Sequence, residues 1–333
     1  MKEARFYESK GKTVICRLCP RNCVIKEGST GFCRVRKNIN GKLYSLVYGK
    51  LVAANVDPIE KKPLFHFMPS TLTFSIATYG CNFRCKFCQN WSISQRTNGY
   101  YEEWDVKRVV EYAIRYECKS ISYTYTEPTI FYEFAYDCSK LAKKENLANI
   151  FVTNGYMSEE ALKEISRYLD AMNIDLKFSS SEIYKKLCAV PDNTPILNNI
   201  KLAHELGIHV EVTNLIIPGY NDKEEMIKDI CRFLIDEVSN EIPLHFTRFY
   251  PHYKMLDVPP TPVKTLERAR EIALGEGMKY VYIGNVPGHE AENTYCPNCK
   301  KLLIRRLGFE VLEYNIENGR CKFCNEKIFG KFT

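Results

Sequence analysis

Residues 79–91 read "YGCNFRCKFCQNW" and place Cys81, Cys85 and Cys88 four and then three residues apart. The run before them, "TLTFSIAT" (71–78), is rich in β-formers, so the three cysteines occupy a loop just past a strand end. A closed zinc site or a [4Fe–4S] cluster ordinarily takes four thiolates. The next cysteine, Cys118, lies far along the chain. Three ligands without a near fourth leave a coordination position open, which is what a catalytic metal centre requires. The competing expectation is a structural site completed from a distance by Cys118 or His66.

Working outward, two further cysteine sets flank this loop. Toward the N-terminus, "CRLCPRNCVIKEGSTGFC" (16–33) supplies Cys16, Cys19, Cys23 and Cys33. That is a full ligand set, and Pro20, Gly28 and Gly31 suit a tight ligand loop. Zinc and a second iron–sulfur cluster are both open there, with zinc preferred. Toward the C-terminus, Cys296 and Cys299 pair with Cys321 and Cys324 as two C-x2-C knuckles, the pattern of a zinc ribbon. The apolar stretch "LLIRRLGFEVLEY" (302–314) supplies the connecting strands, and four thiolates close the site, which implies structure and no catalysis at the metal. The sequence has 15 cysteines; such clustering in a long chain means metal more than disulfides. Cys138 and Cys231 fall on apolar helical faces and read as small buried residues.

Between the flanking sets, strand-like runs alternate with amphipathic helices. "DVKRVVEYAIRYE" (105–117) aligns Val106, Val109, Val110, Ala113 and Ile114 on one face. "SEEALKEISRYL" (158–169) opens with Ser158 as N-cap and acids in its first turn. "TPVKTLERAREIALGEG" (261–277) offers Thr261 as cap, Pro262 at the first helical position and Gly275 near the stop. Repeated strand–helix units predict an α/β fold with a parallel sheet, either closed into a barrel or open. Polar motifs follow the strand runs: "TYTEP" (124–128), "TNG" (153–155), "IDLK" (174–177), "IPGYND" (217–222) and "HFTRF" (245–249). In a barrel, groups just past strand C-termini share one active-site face. The expected division is residues 1–70 as a cysteine-rich segment and linker, 71–288 as the barrel and 289–333 as the ribbon. Lys61, Lys62 and His66 in the linker "PIEKKPLFHFMPS" (58–70) are either substrate contacts or packing residues.

Composition narrows the function classes. Of the 333 residues 45% are hydrophobic and 26% charged, ordinary for a globular protein. The net charge of +7 is spread along the chain with no basic block. A multi-zinc nucleic-acid-binding protein is the alternative from another class. The absence of a basic stripe with interleaved aromatics argues against it. No apolar run reaches the roughly 18 residues of a membrane span, and the N-terminus lacks an apolar signal stretch. The expected location is the cytoplasm.

"CNFRCKFC" (81–88) resembles the C-x3-C-x-aromatic-C signature of radical SAM enzymes, with Phe87 as the aromatic residue. The resemblance implies a [4Fe–4S] cluster on Cys81, Cys85 and Cys88 whose open iron binds S-adenosylmethionine (SAM), reductive cleavage to a 5′-deoxyadenosyl radical, and hydrogen abstraction. "TNG", "IDLK", "IPG" and "PLHFTRF" occur in the order seen in glycyl-radical-enzyme activases, such as those of pyruvate formate-lyase. That similarity implies a partial (β/α)6 TIM-like barrel. By the same resemblance Glu127 corresponds to the acid of the Gly-Gly-Glu motif, and Thr153, Asn154, Asp175, Lys177 and His245 match residues lining the SAM pocket. Val152 stands where the activases carry an acid of a cation site. Over nearly the whole chain, "CRLCPRNC", "PIEKKPLFHFMP", "CQNWSISQ", "YTEPTIFYEF" and "RFYPHYKM" resemble the radical SAM component of the AmmeMemoRadiSam system. This implies an electron donor such as ferredoxin or flavodoxin, and Memo-type and AMME-type proteins as partners. A glycyl-radical-enzyme activase proper is the neighbouring expectation.

Overall fold

The computed structural model describes residues 1–332. Its centre is an eight-stranded sheet of β1 (Ala53–Pro58), β2 (Leu72–Ala77), β3 (Ser120–Tyr123), β4 (Ala148–Thr153), β5 (Ala171–Asp175), β6 (His209–Ile216), β7 (Leu244–Arg248) and β8 (Val281–Gly284). β2 to β8 run parallel, side by side in chain order, and β1 pairs antiparallel with β2 at one edge. Helices α1 (Val106–Arg115), α2 (Tyr132–Lys144), α3 (Glu159–Ile165), α4 (Ser181–Cys188), α5 (Thr194–Glu205), α6 (Glu224–Glu237) and α7 (Val263–Glu276) fill the crossovers. Parallel strands need such crossovers, and covering both faces of the sheet buries its strands; all four residues of β3 are buried, Ser120 and Ser122 included.

The sheet begins earlier than residue 71, because β1 belongs to it. The expected linker behaves accordingly. Residues 59–67 pack against one face of the sheet, where Ile59, Leu64 and Phe67 cluster with Ile150 and Ala171. The Pro63 carbonyl accepts from Asn173 Nδ2 at 2.8 Å, and the backbone N–H groups of Phe65 and His66 donate to Glu211 at 3.0 and 2.7 Å. Residues alternate across a strand, so Ala171 and Asn173 meet the linker while Met172 and Ile174 join the main core.

Helix caps follow the sequence in part. Asp105 accepts from Arg108 N at 2.8 Å and Ser158 from Ala161 N at 3.4 Å. Thr261 is not a cap. Its hydroxyl donates to the Ile216 carbonyl at 2.6 Å and accepts from Phe249 N at 3.1 Å, tying β6 to β7, while Pro262 precedes the helix. α7 stops at Gly277, whose φ of 112° is left-handed, and not at Gly275.

The N-terminal segment folds as two small antiparallel sheets. It is anchored by Arg36, whose Nη1 donates to Glu133 Oε1 at 2.9 Å, both side chains being buried. Gly80 has a φ of 96°, and a Cβ there would lie 2.8 Å from Val35 Cγ1 and 2.9 Å from the Cys33 carbonyl, so the segment seats directly on the end of β2. The C-terminal segment forms a three-stranded sheet and a short hairpin, Ile316–Glu317 with Arg320–Cys321. It docks through the buried Arg306, which donates to the Phe65 carbonyl at 2.9 Å. No described helix is long and apolar enough to cross a membrane.

Candidate active site

At the C-terminal ends of the strands lies a cavity of about 470 Å³. The loop after β2 brings Cys81, Cys85, Phe87 and Cys88 to its wall. β4 contributes Thr153 and the following turn Asn154; β5 contributes Asp175 and its exit Lys177. The three cysteines, Phe87 and these four polar residues are therefore gathered in one place, as the strand-end motifs predict. Thr124–Thr126 of "TYTEP", Thr213, Thr247 and Asn285 add to the polar lining, as do Gln89, Asn90, Ser94 and Gln95 after the cysteines and Lys61 and Lys62 from the linker.

The cysteine loop is held by its own backbone and by α4. Arg84 N donates to the Cys188 carbonyl and Lys86 N to that of Leu187, each at 2.9 Å. Phe83 N points at Cys81 Sγ from 3.3 Å, Asn154 Nδ2 lies 3.9 Å from the same sulfur, and Ser94 Oγ is 3.1 Å from Cys88 Sγ. Burial pushes the Cys88 thiol up to about 11 and the Cys81 thiol well above its ordinary value. Cys85 is raised first by the thiol of Cys188 hydrogen-bonded to it and then by burial. Thiols so placed give up their protons to a metal, not to water. Cys188 packs behind Cys85 and does not line the cavity; a lone cysteine ending a helix carries no signal in the sequence. Cys118 and His66 are also elsewhere. The His66 Nδ1 meets the Phe329 carbonyl at 2.6 Å and Nε2 meets Tyr282 at 2.5 Å.

Lys177 Nζ pairs with Asp175 Oδ2 at 2.7 Å. Burial works against this ammonium, but Asp175 and the sulfurs of Cys85 and Cys188 outweigh it and hold its pKa above the ordinary lysine value. Behind the lining residues Lys61, Lys62 and Tyr125, Asp57 accepts from Lys61 and Lys62, each at 2.7 Å, and from the Tyr125 hydroxyl. Burial pushes Lys62 down to about 8. Tyr125 itself adopts a left-handed φ of 65°, with its carbonyl accepting from Asn90 Nδ2 at 2.9 Å, so the turn replaces glycine geometry with side-chain anchoring.

Two of the expected SAM contacts do not reach the cavity. Glu127 is fully buried beside it. Its Oε1 accepts from Thr129 N, Thr129 Oγ1 and Thr153 Oγ1 at 3.0, 2.6 and 2.7 Å, and its Oε2 from Asn154 N at 2.8 Å. Burial raises its pKa against these four donors. The carboxylate thus shapes the "TNG" turn from behind. His245 faces the same side of the sheet as Thr247 but one layer deeper, where Phe65 covers it edge-on. Its Nε2 meets Glu211 Oε2 at 2.7 Å, and His209 Nε2 meets Glu211 Oε1 at 3.0 Å. The linker fills that layer, so His245 belongs to a buried cluster beneath the site; Thr247 takes its place on the wall.

Among the described residues, one group of three or more Cys, His, Asp or Glu ligand atoms lies within 4.8 Å of one another: Cys296, Cys299, Cys321 and Cys324. Cys296 and Cys324 sulfurs are 3.6 Å apart and those of Cys299 and Cys321 3.7 Å. With Zn–S near 2.3 Å, a tetrahedral zinc spaces its sulfurs about 3.8 Å apart, so this set is compatible with a zinc ribbon. Cys81, Cys85 and Cys88 are not so gathered; they stand around open space, which fits a multi-atom group.

The radical SAM superfamily model matches residues 75–234, spanning β2 to α6. These residues form a radical SAM domain. Such a domain implies a [4Fe–4S] cluster and SAM, and the spread of the three thiols and the polar strand-end wall fit both. A curated relative, the pyruvate formate-lyase-activating enzyme of Staphylococcus epidermidis, is 22% identical over 65% of this chain and 91% of its own. An uncharacterised protein of Methanocaldococcus jannaschii is 54% identical over 98% of this chain and 99% of its own. The crystal structure of a radical SAM methyltransferase from Sphaerobacter thermophilus shares the fold, with a TM-score of 0.53, 17% identity, and coverage of 66% of this chain and 68% of that one.

Proposed function

We propose that this protein cleaves SAM reductively and uses the product radical to take a hydrogen atom from a substrate, in the manner of the AmmeMemoRadiSam radical SAM component. The observation that carries the proposal is the meeting of Cys81, Cys85 and Cys88 with Thr153, Asn154, Asp175 and Lys177 on one cavity. When bound, the cluster and SAM supply one-electron cleavage to methionine and a 5′-deoxyadenosyl radical. Cys81, Cys85 and Cys88 supply three thiolates and no fourth, leaving the amino and carboxylate groups of SAM to complete the set. Asn154, held by Glu127 at its backbone and by Asn82 Oδ1 at 2.8 Å, presents its amide beside Cys81. The Asp175–Lys177 pair offers both an acceptor and a cation to a zwitterionic ligand, and Phe87 shields the thiols from water.

A low-potential donor of the ferredoxin or flavodoxin type supplies the electron, and Memo-type and AMME-type proteins are the proposed partners. The deciding experiment uses anaerobically purified protein with SAM and dithionite. Formation of 5′-deoxyadenosine, with deuterium entering it from a labelled substrate, is the expected result. A colourless protein holding zinc alone and leaving SAM intact would overturn the proposal and return the multi-zinc alternative. An activase proper is the second reading, favoured by the similarity to the pyruvate formate-lyase-activating enzyme. A glycyl-radical electron paramagnetic resonance (EPR) signal on a protein substrate distinguishes it.

A further inference from the structure

Cys16, Cys19, Cys23 and Cys33 also converge, but not as the C-terminal four do. They wall an internal cavity together with Leu18, Ile25 and Gly31. No three of their sulfurs lie within 4.8 Å of one another, whereas all four of the ribbon's do. The same chain therefore contains one thiol set drawn to the spacing of a single tetrahedral ion and two sets held apart around a space. One of the spread sets is the radical SAM loop.

We infer that Cys16, Cys19, Cys23 and Cys33 hold a second [4Fe–4S] cluster and not zinc. A lone zinc requires its four sulfurs about 3.8 Å apart. A cubane places one thiolate on each of four irons, so the cluster's own edges separate the sulfurs. The surroundings suit such a group. Phe32 N points at Cys23 Sγ from 3.5 Å, and a side chain at Gly31 would press on Ile25 Cδ1 at 3.2 Å. Arg21, whose guanidinium hydrogen-bonds to the Asn82 and Ala189 carbonyls, also lines the cavity and offsets the charge of an anionic cluster, whereas Arg36 on the same wall is neutralised by Glu133. Asn82, adjacent to the catalytic Cys81, forms part of the same wall, and Arg21 Nε donates to its carbonyl at 2.5 Å. The proposed cluster would thus share a wall with the loop that carries Cys81.

The test is metal analysis after anaerobic iron and sulfide reconstitution. The variant Cys81→Ala/Cys85→Ala/Cys88→Ala should keep about four irons and four sulfides per chain, a brown colour and, on reduction, a cluster EPR signal. A colourless variant with about two zincs and no iron overturns the inference. If that variant does not fold, the wild type decides. About eight irons and one zinc support two clusters; about four irons and two zincs refute the second. Cys16→Ser/Cys19→Ser should halve the iron of the wild type and leave the ribbon zinc in place. This inference rests on its own thiols: its failure would remove the N-terminal iron only, while failure of the proposed function would show as intact SAM with the catalytic iron present.

Discussion

Cys81, Cys85 and Cys88 differ from Cys296, Cys299, Cys321 and Cys324 chiefly in what lies between the sulfurs. The C-terminal four touch across a short hairpin and leave space for one ion. The loop three stand at the mouth of a cavity, backed by α4 and faced by polar strand ends. A closed four-thiolate set uses all its ligand capacity on folding, and an open three-thiolate set keeps one position for chemistry. The same side chain, at C-x2-C spacing in both, is committed to structure or to reaction by the element that carries it.

The comparison can be broken most directly at Cys88. Cys88→Ala should abolish 5′-deoxyadenosine formation, by at least about 10³-fold, and leave about one zinc per chain on the ribbon; chromatography of the nucleoside and metal analysis read the two. Persistence of cleavage at the wild-type rate would remove the loop from the catalytic role. Next, Cys299→Ala should release the ribbon zinc. Because binding of a structural zinc is folding free energy of about 10 kcal/mol, the segment after residue 293 should become protease-sensitive while the loop iron stays. Cleavage resistance equal to wild type would mean that the ribbon does not depend on its metal.

His245→Ala sharpens the boundary between site and support. It should lower stability by about 1–3 kcal/mol, since Glu211 loses a buried partner, and change the affinity for SAM by less than about threefold. Calorimetry and equilibrium binding separate these, and a large loss of affinity without destabilisation would put His245 back on the wall. The smallest effect belongs to Cys188→Ala: about 1 kcal/mol of packing and unchanged iron. Loss of iron in that variant would make Cys188 a fourth ligand and close the open position.

Much of the site was legible in the chain. The three-cysteine spacing, the order of "TYTEP", "TNG" and "IDLK", and the apolar runs preceding them are local patterns, and local patterns dictate strand, turn and ligand loop. The places where expectation and structure part are those where a side chain chooses among distant partners. Thr261 has the chemistry of a cap, but its hydroxyl is better used between the Ile216 carbonyl and Phe249 N. Glu127 has the position of a ligand contact, but its two oxygens are consumed by Thr129, Thr153 and Asn154.

The sequence by itself determined the cysteine spacings, the alternation of strands and helices and the side of the sheet on which polar residues would gather, because spacing and periodicity are properties of neighbouring residues. Tertiary structure alone decided depth. Strand residues two apart point the same way but occupy different layers. Residues 59–67 fill the lower layer through hydrogen bonds from Phe65 and His66 to Glu211, 146 and 145 positions away. That packing leaves Thr247 at the cavity and His245 beneath it, and the seating of α4 on the cysteine loop brings Cys188 against Cys85, contacts that no local pattern encodes.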